Sequence, residues 1–282
     1  PLINSRLIGL TNWNYETINP KSIFNKIHRE FNLKYKNYIL ANDENINVKK
    51  IFDEICANYN FDKNRKIISI HQKDNKYYNG SVSRSSDINK LNKTIEYLIS
   101  KEFYVIRFIS AISENLKFNS ANYKEIKIDT DSEKLFQYVI FKKSCLVICH
   151  QGGIHSYNQI IDVPFLQLNS IPININPLIK DKDRTILKKF YSEELNRFLT
   201  LKEIIDHNLH LHIDFRTLKS KKINIIENDE DEIFEATKNI LENSNNNLLE
   251  KFISKIPNQI SFKNSDAQIS TSFLEKNNYL LS

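Results

Sequence analysis

Residues 145–168 read CLVICHQGGIHSYNQIIDVPFLQL, a stretch that decides the fold class. Residues 145–149 are apolar at every position, as in a strand covered on both faces. Residues 153–161 predict a helix opening on the pair Gly152-Gly153, and 163–168 predict a second strand. Strand, glycine turn, helix, strand is a βαβ unit, whose two strands run parallel in one sheet.

The alternation continues outward in both directions. Upstream, 66–71 (KIISIH) is a β-branched, buried strand. After a polar stretch comes a helix with Asp87 as N-cap and Ile88, Leu91, Ile95, Leu98 and Ile99 as its apolar stripe. Residues 104–109 and 125–128 predict strands, and 132–143 a helix with Leu135, Phe136, Val139 and Ile140 on one face. Downstream, 201–207 predict a helix, 223–226 a strand, and 229–242 a helix burying Ile233, Phe234, Thr237, Ile240 and Leu241. The whole implies an α/β fold, a Rossmann-like parallel sheet with helices on both faces. Residues 1–62 read as a polar helical remnant and linker, 63–245 as the Rossmann-like domain, and 246–282 as a helical appendage behind an Asn-rich connection.

Composition narrows the class. With 40% hydrophobic and 26% charged residues among 282, the chain buries a sizeable core. No run approaches ~18 consecutive apolar residues, so no membrane-spanning helix is expected. Cys56, Cys145 and Cys149 are too few for a disulfide framework and lack paired metal-site spacing, which suits a reducing, cytoplasmic setting. The net charge of +6 comes from basic residues interleaved with acids, without an aromatic-rich basic stripe. That argues against a nucleic-acid partner and leaves loose attraction to a polyphosphate ligand or to an anionic membrane face. There is no methionine and the chain starts at Pro1, from which we expect a trimmed chain with a truncated N-terminal part.

Parallel sheets bind ligands beyond the carboxyl ends of their strands, where two predicted loops carry unusual residues. The first runs from Cys149 to Ser156 and holds half of the chain's 4 glycines. Gly152 and Gly153 at a helix N-terminus suit a diphosphate, with His155 or Ser156 adding hydrogen bonds; the alternative is a tight turn shaped by packing alone. There is no Gly-Lys-Ser, so nucleoside triphosphate hydrolysis has no support. The second loop runs from His71 to Asp87. Lys73 and Arg84 are candidate phosphate cations, and Tyr77 or Tyr78 could stack on a base or sugar; the alternative is a solvated loop in which Asp87 merely caps a helix. Arg107, inside the apolar strand YVIRFI, is either a ligand contact or a structural ion pair. His210, His212 and Asp214 would share one face of an extended strand, but no histidine follows to complete a metal site, and none is expected.

At these residues the sequence resembles a bacterial family of glycosyltransferases associated with surface-polysaccharide synthesis. The family's His-Val-Arg-Asp strand end is similar to His71-Gln72-Lys73-Asp74, and its Arg-Asn-x-Asp-Ile to Arg84-Ser85-Ser86-Asp87-Ile88. An "EYL" helix follows at Glu96-Tyr97-Leu98, and Val105-Ile106-Arg107 matches a Val-Ile-Arg strand. The family's Cys-x-Phe-Phe-Ile-Gly-x-x-Ser-Gly segment resembles Cys145 through Gly153, and residues 198–204 and 269–274 also look similar. Lys73 stands where the family has Arg, which keeps the charge and loses the planar fork. The His-x-basic strand end also resembles that of distantly related fucosyltransferases, and the glycine loop with Val163-Pro164 an "HGG…VP" segment of other GT-B enzymes.

The resemblance, spanning roughly residues 66–275, implies the C-terminal half of a GT-B architecture. It implies transfer of a hexose or deoxyhexose from a nucleotide-diphosphate sugar to a glycan or lipid-linked acceptor, at the inner face of the membrane. No metal and no cofactor beyond the donor would be required. Lys73, Arg84, Arg107, Gly152, Gly153, His155, Ser156 and Tyr78 would hold the donor, and Asp74 or His71 are the candidate bases. The alternatives are a non-catalytic sugar-nucleotide or polyanion-binding module, and a GT-B-fold sugar-nucleotide epimerase.

Overall fold

The computed structural model describes residues 47–71, 86–109, 113, 115–116, 118–128, 130–151, 154–171, 173, 178, 180–210, 215–242, 247–257 and 267–282. In chain order, α1 (Val48–Tyr59) leads into β1 (Ile67–His71). A 3₁₀ turn (Ile88–Leu91) opens α2 (Asn92–Ser100), followed by β2 (Tyr104–Ile109) and β3 (Tyr123–Lys127). Next come α3 (Asp131–Lys143), β4 (Ser144–His150), α4 (His155–Ile160) and β5 (Phe165–Ser170). Then follow β6 (Arg184–Leu187), β7 (Lys189–Ser192), β8 (Arg197–Phe198), α5 (Leu201–Asp206) and α6 (Phe215–Ser220). The chain closes with β9 (Ile223–Ile226), α7 (Glu230–Glu242), α8 (Leu248–Lys255), β10 (Gln268–Ile269), α9 (Thr271–Lys276) and a 3₁₀ turn (Asn278–Leu281).

Seven of these strands form one sheet in the order β3-β2-β1-β4-β5-β6-β10, with every neighbouring pair parallel. Side chains alternate between two cores, as the period of a strand requires. On one face Ile68, Ile70, Val105, Leu146, Ile148 and Leu166 pack under α2, α7 and α9. On the other, Ile67, Ile106, Phe108, Val147 and Phe165 pack under α1, α3 and α4. Burying both faces explains why the central strands are apolar throughout rather than alternating. The chain therefore has the Rossmann-like α/β fold, with helices on both faces of a parallel sheet.

Local signals set the helix starts. Asp87 caps the 3₁₀ turn by accepting from Asn89 N, and Thr130 and Glu133 form a reciprocal capping box at α3. Thr200 and Glu203 do the same at α5. Differences from the sequence reading lie in the second half. β9 is a strand, but it joins a separate three-stranded antiparallel sheet, β8-β7-β9, rather than the parallel one. The seventh parallel strand, β10, comes from the segment read as an appendage. Ile269, Phe273 and Leu274 of that segment belong to the same core as β1 and β4. No described helix is long and apolar enough to cross a membrane.

Candidate functional site

The strand order makes β1 and β4 the neighbours from which the chain winds in opposite directions. From β1 it moves outward through β2 and β3, then returns across β1 to β4 and continues to β5 and β6. In doubly wound sheets such a reversal leaves a crevice beyond the carboxyl ends of the two central strands, and ligands bind there. The residues at this edge are His71 ending β1, His150 ending β4, Ser170 ending β5 and Lys188 following β6.

Under α3 and α4, His71 Nδ1 lies 3.1 Å from Nε2 of the buried Gln137. With the amide nitrogen as donor, Nδ1 accepts and the neutral ring carries its proton on Nε2. His71 in this state is itself a hydrogen-bond donor. Cys149, one residue before His150, is buried with its Sγ 3.9 Å from His155 Nε2. Burial pushes its thiol far above the ordinary range, so it stays protonated and is no nucleophile.

Under α2 and α7, His150 has Ser86 Oγ at 3.5 Å from Nδ1 and Asn169 Nδ2 at 3.1 Å from Nε2. Burial, with Lys188, His71 and His155 adding to it, holds this imidazole down to about 3, so it is neutral at physiological pH. Ser86 ends the connection that leaves β1, so His150 joins the two lips of the crevice. The neighbouring Gln151 accepts from Ile171 N at 3.0 Å and ties the exits of β4 and β5. Lys188 is also buried, which brings its ammonium down to about 8 against the opposing pull of Glu227, 4.0 Å away. Glu227 reaches across to Asp87 N at 3.0 Å and Lys90 Nζ at 3.4 Å.

Of the sequence-derived site residues, the structure brings His71 and His155 to this edge. His155 begins α4 and is buried, and Ser156 lies in α4 behind it. Arg107 sits in β2 fully buried, with one guanidinium nitrogen 2.7 Å from Glu125, so it serves at least an internal ion pair. Lys73, Asp74, Tyr77, Tyr78, Arg84, Gly152, Gly153, His212 and Asp214 lie outside the described residues. His210 is buried, in the turn that follows α5. Among the described residues no group of His, Cys, Asp and Glu is arranged to hold a metal ion.

Gln137, Asn169, Lys188, Glu227 and Asn228 were not read from the sequence. Gln137 lies mid-helix in α3 and carries no local signal, and the other four lie at or beside the end of a strand or helix, which is their only one. Two open grooves on the described surface lie elsewhere, one of about 460 Å³ along the outer face of α1 and one of about 440 Å³ between Arg197, Phe198, Thr200, Tyr279 and Ser282. The sequence matches no family model and no curated protein.

Proposed function

We propose that the chain is the donor-binding half of a glycosyltransferase that moves a sugar from a nucleotide-diphosphate donor to a glycan or lipid-linked acceptor. The observation that carries the reading is the switch point between β1 and β4. The two loops with glycines, cations and tyrosines are the two that leave these strands, 72–85 and 151–154. In this reading the amides of Gly152 and Gly153, with Lys73 and Arg84, take the diphosphate and stabilise the charge on the departing nucleotide. His71, with its proton on Nε2, adds a further donor to that anion. Asp74 then remains the candidate base on this half of the enzyme. The chain works in the cytoplasm, next to an acceptor carried at the membrane face.

Calorimetric titration with GDP-, UDP- and CDP-sugars, against inorganic pyrophosphate as control, tests this. One nucleotide sugar is expected to bind well above pyrophosphate, and Lys73→Ala and Arg84→Ala should each weaken it without lowering the melting temperature. Equal response to pyrophosphate would leave a polyanion-binding module, and no response to any nucleotide would discard the donor site.

A further inference from the structure

Asn169 and Asn228 form a closed reciprocal pair. Each backbone N–H donates to the other's side-chain Oδ1 at 2.7 Å. The pairing fixes how the Asn169 amide faces: with Oδ1 taken by a backbone donor, Nδ2 is the atom turned to His150 Nε2. An amide nitrogen donates and does not accept, so Nε2 of the imidazole must accept. The ring proton then sits on Nδ1, facing Ser86 Oγ. The far end of the chain is anchored too, since Asn228 Nδ2 donates to the Leu187 carbonyl at 2.8 Å. Backbone geometry selects the residue as well. Asn169 has φ 53°, a left-handed conformation that Asn and Asp adopt more readily than other side-chain-bearing residues. All four residues of this relay are buried.

We infer that Asn169, held by Asn228, is a positioning residue that locks His150 as the Nδ1–H tautomer and through it fixes Ser86, where the loop carrying Lys73 and Arg84 rejoins the fold. That role presupposes a ligand at the crevice, as proposed above, whereas the tautomer itself does not. The lock also explains how the relay keeps one state when an anion binds nearby. The groups facing His150 are Lys188 beyond β6, His71 of β1 and His155 of α4. A proton on Nε2 would place a second cation beside Lys188 and turn two donors against each other. The imidazole therefore takes up no proton when the crevice fills.

Long-range ¹H–¹⁵N correlation spectra of the histidine rings of the full chain test the lock, with His150→Gln identifying the His150 signals. The wild type is expected to show a protonated Nδ1 and a bare Nε2 from about pH 8 to about pH 5.5, unchanged across that range. Asn169→Asp keeps the left-handed backbone and offers Nε2 an acceptor in place of a donor, so a proton should appear on Nε2. If that variant does not fold, Asn169→Gly accommodates the left-handed backbone, removes the donor to Nε2 and should leave His150 as a mixture of tautomers. A wild-type His150 protonated on Nε2, or an Asn169→Asp or Asn169→Gly spectrum like the wild type's, would overturn the lock. For the positioning role, the nucleoside diphosphate that binds the wild type, GDP or UDP, should bind Asn169→Asp at least about tenfold more weakly at an unchanged melting temperature. A switched tautomer with unchanged affinity would overturn that role. Absence of any nucleotide binding by the wild type counts against the donor site alone and leaves the spectrum as the judge of the tautomer.

Discussion

Replacing Glu125 by Ala takes the carboxylate partner away from a buried cation. Arg107 is 0% and Glu125 12% exposed at the side chain, and the two meet at 2.7 Å in the interior of β2 and β3. Removing one partner of such a pair costs about 3–5 kcal/mol, because the remaining charge stays buried. The loss falls toward the upper end here, since Glu125 Oε1 also accepts from Tyr123 Oη at 2.7 Å and Leu116 N at 2.9 Å. At roughly 2–4 °C per kcal/mol for a chain of this size, Glu125→Ala should melt about 6–20 °C below wild type. Thermal unfolding followed by circular dichroism, with urea titration for the free energy, gives the number. The double variant Arg107→Met/Glu125→Leu removes both charges and should recover most of the loss. A single variant melting within about 2 °C of wild type would refute the burial argument, since a surface pair is worth that little. A double variant that folds but loses nucleotide binding would show that Arg107 also touches the ligand.

Acid stability should depend on His150. Its folded value is depressed to about 3 from the free value of about 6.5, so the unfolded chain binds the extra proton first. The contribution is present above about pH 6.5 and lost as pH falls toward 3. His150→Gln should flatten the acid limb of the urea midpoint between those values, and an unchanged limb would refute the shift. Lys188 should act at the other end of the scale. Its folded value is lowered to about 8, so wild-type stability gains as pH rises from 8 toward the free-lysine value of about 10.4. Lys188→Met lacks this gain, and the gap between wild type and variant should shift in favour of wild type over that window in paired denaturant titrations. Lys180 donates to the carbonyls of Asn158, Ile161 and Val163 at 3.0, 3.0 and 2.6 Å, tying the end of α4 to the entry of β5. Lys180→Met should lower the melting temperature while leaving the crevice chemistry untouched.

The strands legible in the sequence are those whose code is local. β1, β2 and β4 are runs of β-branched and apolar residues between polar stretches, which no amphipathic helix produces. β6 and β7 escaped because their residues look like surface. Arg184, Thr185, Lys188 and Lys189 lie in or between them and are all buried, and Lys189 is neutralised by Glu232, 43 residues away in the chain, at 2.8 and 2.9 Å. β10 is two residues long, too short to carry a period. β9 was visible as a strand, yet nothing within it says that its partner is β7 in antiparallel register. The site divided in the same way. His71 and His155 stand out by residue type beside apolar strands. Gln137 is an amide in the middle of α3, and Asn169 and Asn228 are amides at element ends, where amides ordinarily mean solvated loops. Only the fold brings Asn169 against Asn228 across 59 residues of chain.

Sorting the buried cations shows where charge for a diphosphate has to come from. Arg107 serves Glu125, Lys189 serves Glu232, and Arg184 donates to the carbonyls of Asp181 and Asp183. Lys180 donates to carbonyls at the end of α4 and the entry of β5, on the side of the sheet away from the crevice. At the crevice itself, Lys188 and Lys90 share Glu227. Each of these charges has an internal acceptor, so what the described residues offer a ligand is a set of neutral donors built around His71 and His150. Neutral donors orient an anion but do little to offset its loss of hydration. Lys73 and Arg84 must therefore supply the compensation if the ligand is a diphosphate. The Lys73→Ala/Arg84→Ala double variant should lose most of its affinity, and what remains should depend less on salt than in the wild type. Were the double variant to bind its nucleotide as tightly as before, with the same salt dependence, the ligand of this crevice would be one that neutral hydrogen bonds suffice to hold, and sugar transfer from a diphosphate would no longer follow.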